Sequence, residues 1–238
     1  MNISELKAAD RLICALDTPD VEQVKAIIND LDGVVSFFKI GITLHLASGL
    51  EIVKLLLNSG KKVFLDLKYY DVPETVRLAV SVAAKLGVTF LTIHGNSAII
   101  KGAVEGRGAS DLQLLVVTVL TSLDQDDLKE MGQDVALERL VLARAGLALS
   151  HGANGVISSA REAGLIKSET NGKLLVISPG IRDADAGDDQ KRTMGAEDAI
   201  RAGADFLVVG RPITKATNRR EAAQRHIAAI ERGLRQRD

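Results

Sequence analysis

Short apolar, β-branched runs alternate along the chain with segments whose apolar positions recur at helical spacing. Eight runs stand out: RLICALD (11–17), FFKIG (37–41), KVFLDLK (62–68), FLTIHG (90–95), QLLVVTVL (113–120), GVISSA (155–160), KLLVISPG (173–180) and FLVVGRPI (206–213). Each is nearly continuous in apolar residues, as a strand covered on both faces requires. After the first run, Thr18-Pro19-Asp20 reads as a helix start, a capping side chain near a proline at an early helical position. Val21, Val24, Ile28 and Leu31 then follow at helical spacing. LEIVKLLLNSG is expected to end in a left-handed cap at Gly60, and PETVRLAVSVAAKLG to open near Pro73 and close at Gly87. A longer loop, TSLDQDDLKEMG, precedes the helix ERLVLARAGLALSHG, and REAAQRHIAAIERGLRQ closes the series as an amphipathic helix.

Strict strand–helix alternation predicts parallel strands joined by crossover helices. A doubly wound open sheet competes with a closed (β/α)8 barrel, and eight repeats of nearly even spacing favour the barrel. A length of 238 residues suits one such α/β (TIM-type) barrel. With no linker or low-complexity run in view, residues 1–238 are expected to form a single domain.

Composition refines this picture. Aromatic residues make up 3% and tryptophan is absent, which points to a core of Val, Ile, Leu and Ala. A net charge of -1 gives no global field for nucleic acid or membrane, and the stacking aromatics of single-strand binders are scarce. The one cysteine, Cys14, stands in an apolar run, reads as a buried small hydrophobe and fits a reducing compartment. The N-terminal segment lacks an apolar signal core. The longest apolar run, Leu114 to Leu120, is interrupted by Thr118 and falls far short of the roughly 20 residues that span a bilayer. A soluble, cytoplasmic protein is the expectation.

In a barrel of this kind the chemistry gathers at the strand C-termini. Those ends carry Asp17, Lys39, Asp66 with Lys68, His94, Thr118 with Thr121, Ser158 with Ser159, Pro179-Gly180 and Gly210-Arg211. Side chains alternate along a strand, so Asp66 and Lys68 face the same way, with Lys39 and then Asp17 on the strands beside them. The bland alternative is a surface salt-bridge cluster, worth roughly 0–1 kcal/mol per exposed pair. Lys39 and Asp66 lie inside apolar stretches, however, and burying such charges costs several kcal/mol unless they are paired. At the ends of runs seven and eight, SPGIR (178–182) and GRPI (210–213) combine glycines with forked donors, Arg182 and Arg211, where barrels often bind phosphate. Gln190 adds a candidate amide donor on the following loop. No HExxH, cysteine pair or G-x-G-x-x-G after the first run appears. His45, His151 and His226 look peripheral; a catalytic and a merely supporting part both remain open to His94.

The segments ALD (15–17), FKIG (38–41), FLDLKYYDVPETV (64–76), TIHG (92–95), LTS (120–122), SPGIR (178–182), DQKR (189–192) and VVGRPI (208–213) together resemble the bacterial orotidine 5'-phosphate decarboxylases. They occur in order over nearly the whole chain, and D-x-K-x-x-D followed by V-P is the most specific of them. The resemblance implies decarboxylation of orotidine 5'-monophosphate to UMP in a homodimer, with no cofactor and no metal. It makes Lys68 the proton donor to C6, with Asp66, Asp71 and Lys39 in the charged catalytic network. It assigns Asp17 and Lys39 to the ribose, Thr121 to the pyrimidine edge, Pro179 to the base, and Arg182, Gln190, Gly210 and Arg211 to the phosphate. Asp71 and Thr75 are implied to reach the partner's site. Rival readings are a sugar-phosphate enzyme that uses D-x-K-x-x-D to hold Mg2+, a Schiff-base aldolase with Lys68 as nucleophile, and a non-catalytic barrel that binds a phosphorylated metabolite.

Overall fold

The computed structural model describes residues 3–182 and 192–237. Eight parallel strands form a closed barrel in sequence order: β1 Leu12–Ala15, β2 Phe37–Gly41, β3 Lys62–Tyr69, β4 Phe90–Ile93, β5 Gln113–Val117, β6 Gly155–Ile157, β7 Leu175–Ser178 and β8 Phe206–Val209. Closure rests on the β1–β8 ladder, in which Leu12, Ile13 and Cys14 face Leu207, Val208 and Val209. That ladder excludes the open-sheet alternative. Most strands stop two or three residues before the apolar pattern does, because their C-terminal residues leave the ladder to line the barrel mouth.

Two apolar layers result from the alternation of side chains. Outward-facing residues such as Phe38, Leu65 and Leu91 pack under the helices. Inward-facing residues, Phe37, Phe64, Phe90 and Phe206 with Ile13, Leu115 and Ile177, fill the barrel. The rings of Phe37 and Phe90 lie 4.9 Å apart, and those of Phe90 and Phe206 lie 5.1 Å apart in an edge-on arrangement. The aliphatic core expected from composition is therefore only the outer layer. Four of the five phenylalanines are spent on the interior, where a few large rings fill the central space. Ile3 and Leu6 pack against the same cluster, and Arg11 bonds the carbonyls of Ile3 and Asp205 nearby.

The helices confirm most of the pattern and correct some of it. The first runs Val21–Asp30, and its cap is Asp20, which accepts from the backbone N–H of Gln23 at 2.9 Å. Pro19 thus lies outside the helix rather than in its first turn. Helix Glu51–Asn58 is followed by Gly60 at φ 70, and Pro73 opens helix Pro73–Leu86, closed by a left-handed Gly87. A short helix, Ile42–Ser48, leaves directly from the end of β2, ahead of the segment that the spacing marks as helical. Cys14 is fully buried, and burial pushes its thiol up to about 12. His226 is buried on helix Arg219–Arg235 and lines neither of the two cavities described below. No helix among the described residues is long and apolar enough to cross a membrane.

Candidate active site

One step above the phenylalanine layer the inward positions turn from apolar to charged. Lys39 follows Phe37 by two residues on β2, Asp66 follows Phe64 by two on β3, and the β2–β3 register pairs Gly41 with Asp66. Lys39 Nζ lies 2.7 Å from Asp17 Oδ1 and 3.4 Å from Asp66 Oδ2, and Lys68 Nζ lies 2.8 Å from Asp66 Oδ1. The four side chains form a chain of alternating sign whose exposure rises towards its ends: 8% for Lys39, 15% for Asp66, 29% for Lys68 and 59% for Asp17. Burial opposes the charge on Lys39, but Asp66 and Asp17 outweigh it and hold its pKa above the ordinary lysine value. Burial likewise opposes ionised Asp66, yet Lys39 and Lys68 hold its pKa below the ordinary carboxylate value. A side chain at Gly41 would displace part of this array: its Cβ would stand 2.9 Å from Asp17 Oδ1 and 3.2 Å from Lys39 Nζ.

The backbone that presents Lys68 is unusual. Lys68 has φ 51, a left-handed conformation that a side chain with a Cβ rarely adopts. The β3–β4 ladder shifts register between Leu65 and Tyr69. Simple alternation from Asp66 thus identifies the correct face but not the means: Lys68 reaches it from a bulge. Thr92, fully buried on β4, sits opposite. Its hydroxyl accepts from Lys68 N–H at 2.9 Å and donates to Asp66 Oδ1 at 3.0 Å.

A cavity of about 670 Å³ opens over the array. Asp17, Lys39, Asp66, Lys68, Thr121, Pro179, Arg182, Gly210 and Arg211 all line it, together with Ser122, Gln23 and Lys215, which the sequence pattern did not single out. Gly180 at φ 75 lets the chain turn at the end of β7 between Pro179 and Arg182. Arg211 opens the short helix Arg211–Thr214, directly after Gly210. Gln190 lies outside the described residues.

Some strand-end candidates serve the wall instead. Thr118 donates to Ile157 O at 2.9 Å, and Ser158 donates to Glu162 at 3.0 Å. Glu162 forms a buried pair with Arg192 at 2.6 Å, and Arg192 also bonds the carbonyls of Val119 and Leu120, just below Thr121. Arg192 sits in the DQKR block, but nothing in its local sequence signals a buried ion pair with a residue thirty positions away. His94 meets the Tyr70 ring at 6.2 Å; burial, then Arg144 and Lys68, lower its pKa.

A sequence model of the family described as orotidine 5'-phosphate decarboxylase / HUMPS matches residues 10–226. The chain belongs to the orotidine 5'-phosphate decarboxylase / HUMPS family. An orotidine 5'-phosphate decarboxylase from Nitrobacter winogradskyi is 49% identical over 229 residues, covering 96% of this chain and 95% of that protein. One from Methylococcus capsulatus is 47% identical over 228 residues, covering 94% and 93%. A solved structure of orotidine 5'-phosphate decarboxylase from Lactobacillus acidophilus aligns with a TM-score of 0.82 at 35% identity, covering 93% of this chain and 99% of that one.

D-x-K-x-x-D is split by geometry: Asp66 and Lys68 face the main cavity and Asp71 does not. Asp71 is exposed, accepts from Val72 N–H at 2.6 Å and lines a separate cavity of about 330 Å³ with Tyr70, Pro73 and Asn96. Thr75 is exposed on helix Pro73–Leu86 and lines neither cavity. Within one protomer the site therefore holds Asp17, Lys39, Asp66 and Lys68 but neither of the last two candidates. Chemically, the array is neutral overall, which makes its burial tolerable. Lys68 spends one N–H on Asp66, and its ammonium stands at the cavity wall, so it can face a developing anion and deliver a proton.

Proposed function

We propose that the chain decarboxylates orotidine 5'-monophosphate to UMP and CO2, the last step of de novo UMP biosynthesis, without cofactor or metal. It works as a cytoplasmic homodimer, each protomer one barrel domain over residues 1–238. The observation that carries this reading is the paired Asp66–Lys68 at the wall of a cavity that Arg182 and Arg211 also line. Membership of the decarboxylase family supports the substrate class.

The C6–carboxylate bond breaks, its electron pair remains at C6 in the plane of the ring, and CO2 leaves. No neighbouring carbonyl π-system takes up that pair, so its stabilisation is electrostatic. Lys68 supplies the positive charge and then the proton, which moves from Nζ to C6. Asp66, with Asp71 from the partner, flanks the Lys68 ammonium with opposite charge. Lys39 neutralises Asp66 and, with Asp17, holds the ribose hydroxyls; Thr75 of the partner reaches the same ribose. Thr121 reads the pyrimidine edge and Pro179 packs on the base. Arg182, Gln190, Gly210 and Arg211 grip the phosphate, and this remote binding helps fix the ring over Lys68.

The dimer is supported by exposed apolar side chains around Asp71 and on the neighbouring segments: Tyr70 and Val72 beside it, Ile42 and Leu46 after β2, Leu78 and Val82 on helix Pro73–Leu86. Loss of the orotate chromophore on mixing the protein with orotidine 5'-monophosphate in EDTA tests the reading. Unchanged absorbance refutes it, and activity that requires added Mg2+ favours the sugar-phosphate-type rival.

A further inference from the structure

The register shift in the β3–β4 ladder leaves Thr92 as the single β4 residue opposite the irregular stretch. Leu65 pairs with Leu91 and Tyr69 with Ile93, so β3 takes four residue steps where β4 takes two. Lys68 ends that stretch at φ 51. A non-glycine residue stays in the left-handed region only where its surroundings over-determine it, and a buried backbone N–H displaced from the ladder needs another acceptor. Thr92 Oγ1 is that acceptor, at 2.9 Å from Lys68 N. The same hydroxyl has one proton to give. Asp66 Oδ1 at 3.0 Å is the nearer acceptor and Leu65 O at 3.5 Å the farther. Asp66 Oδ1 is also the oxygen that takes Lys68 Nζ at 2.8 Å.

We propose that Thr92 is a positioning residue for the reaction: one buried hydroxyl holds the left-handed backbone of Lys68 and aims the Asp66 carboxylate at the Lys68 ammonium. It touches no substrate, and its effect passes through those two side chains. The closed ring of three hydrogen bonds sets where the ammonium stands relative to the cavity. Its loss frees both the backbone turn and the carboxylate rotamer, and small misplacements of a reacting group are costly in rate. Thr118 is the contrasting case. It is a buried strand-end threonine of the same type, but its hydroxyl donates to the Ile157 carbonyl rather than to a charged side chain among the described residues.

The inference rests on the decarboxylase reading, and the two fail differently: that reading fails in the unsubstituted protein, this one only in variants of an active enzyme. Thr92→Val removes the hydroxyl while keeping the shape. It is expected to lower kcat roughly 10–100-fold, the scale of losing a buried hydrogen bond, while UMP affinity changes less than about threefold. Thr92→Ser restores the hydroxyl and is expected to return kcat to within about threefold of the parent. A folded Thr92→Val protein with kcat within twofold of the parent overturns the proposal. So does a Ser variant as impaired as the Val variant, or a Val variant whose UMP affinity falls in parallel with kcat. Should Thr92→Val not fold, Thr92→Cys, a similar-sized but weaker donor, is expected to give an intermediate kcat at unchanged UMP affinity, and an unchanged kcat overturns the idea.

Discussion

The ammonium of Lys68 donates to Asp66 Oδ1 at 2.8 Å although the Lys68 backbone is left-handed. Two residues of one strand, which ideal pleating would set side by side, are instead brought together across a bulge. The pairing leaves the charged end of Lys68 at the cavity wall while Asp66 stays largely enclosed.

If that ammonium is the proton donor, Lys68→Ala separates binding from chemistry. Titration with UMP is expected to give a Kd within about tenfold of the parent, because the residues proposed to hold phosphate and ribose remain. Turnover should fall by at least roughly 1000-fold, combining lost proton transfer with lost electrostatic stabilisation. Turnover within tenfold of the parent removes Lys68 from the mechanism.

Lys39 is the most enclosed member of the array, at 8% exposure. Lys39→Met leaves Asp66 with Lys68 as its cationic partner and is expected to destabilise the fold by about 3–5 kcal/mol, as removal of one partner from a buried pair does. Urea unfolding checks this. A loss under about 1 kcal/mol means that water or Lys68 already compensates Asp66.

The pKa directions define a pH window. Asp66 titrates below its unfolded value of about 3.9, so its contribution to stability is present above that pH and is lost as pH falls through the folded value. Lys39 titrates above its unfolded value of about 10.4, so its contribution is present below that pH and is lost as pH rises through the folded value. Asp66→Asn should therefore flatten the stability curve on the acid side below about pH 4. Parallel acid-unfolding curves for parent and variant would contradict the Asp66 shift.

Phosphate recognition predicts a substrate-dependent defect. Arg211→Ala should lower kcat/KM for the nucleotide by at least roughly 100-fold and change the rate with phosphate-free orotidine little. Arg182→Ala should act in the same direction. A loss under tenfold on the nucleotide, or equal losses on both substrates, argues against a phosphate grip.

A site shared between protomers predicts complementation. Lys68→Ala and Asp71→Asn proteins, each inactive alone, should regain about a quarter of parental activity after subunit exchange, since half the dimers are mixed and each mixed dimer has one intact site. No recovery in demonstrably mixed dimers places Asp71 outside the partner's site.

Much of this was legible in the order of residues. Eight apolar runs with helical segments between them specify the parallel barrel, because strand and helix periods are local properties of the chain. The strand-end rule then brings Asp17, Lys39, Asp66, Lys68, Arg182 and Arg211 to one cavity without any contact being known. Less local features escaped. Four phenylalanines meet inside the barrel only because closure gives them a common axis. Thr92 in FLTIHG and Arg192 in DQKR look ordinary, and each acquires its partners from another strand or loop.

Sequence alone determined which residues exist to do chemistry, on which strand each stands and which face it takes, since these follow from pattern and period. Tertiary structure decided how they meet: the bulge that turns Lys68, the hydroxyl that holds it, and the layer of rings beneath that denies the charges water and forces them to pair. It also left Asp71 and Thr75 outside the main cavity of their own protomer. Burial and hydrogen-bond partnership depend on what the rest of the chain brings to a point in space, and no local stretch of sequence carries that information.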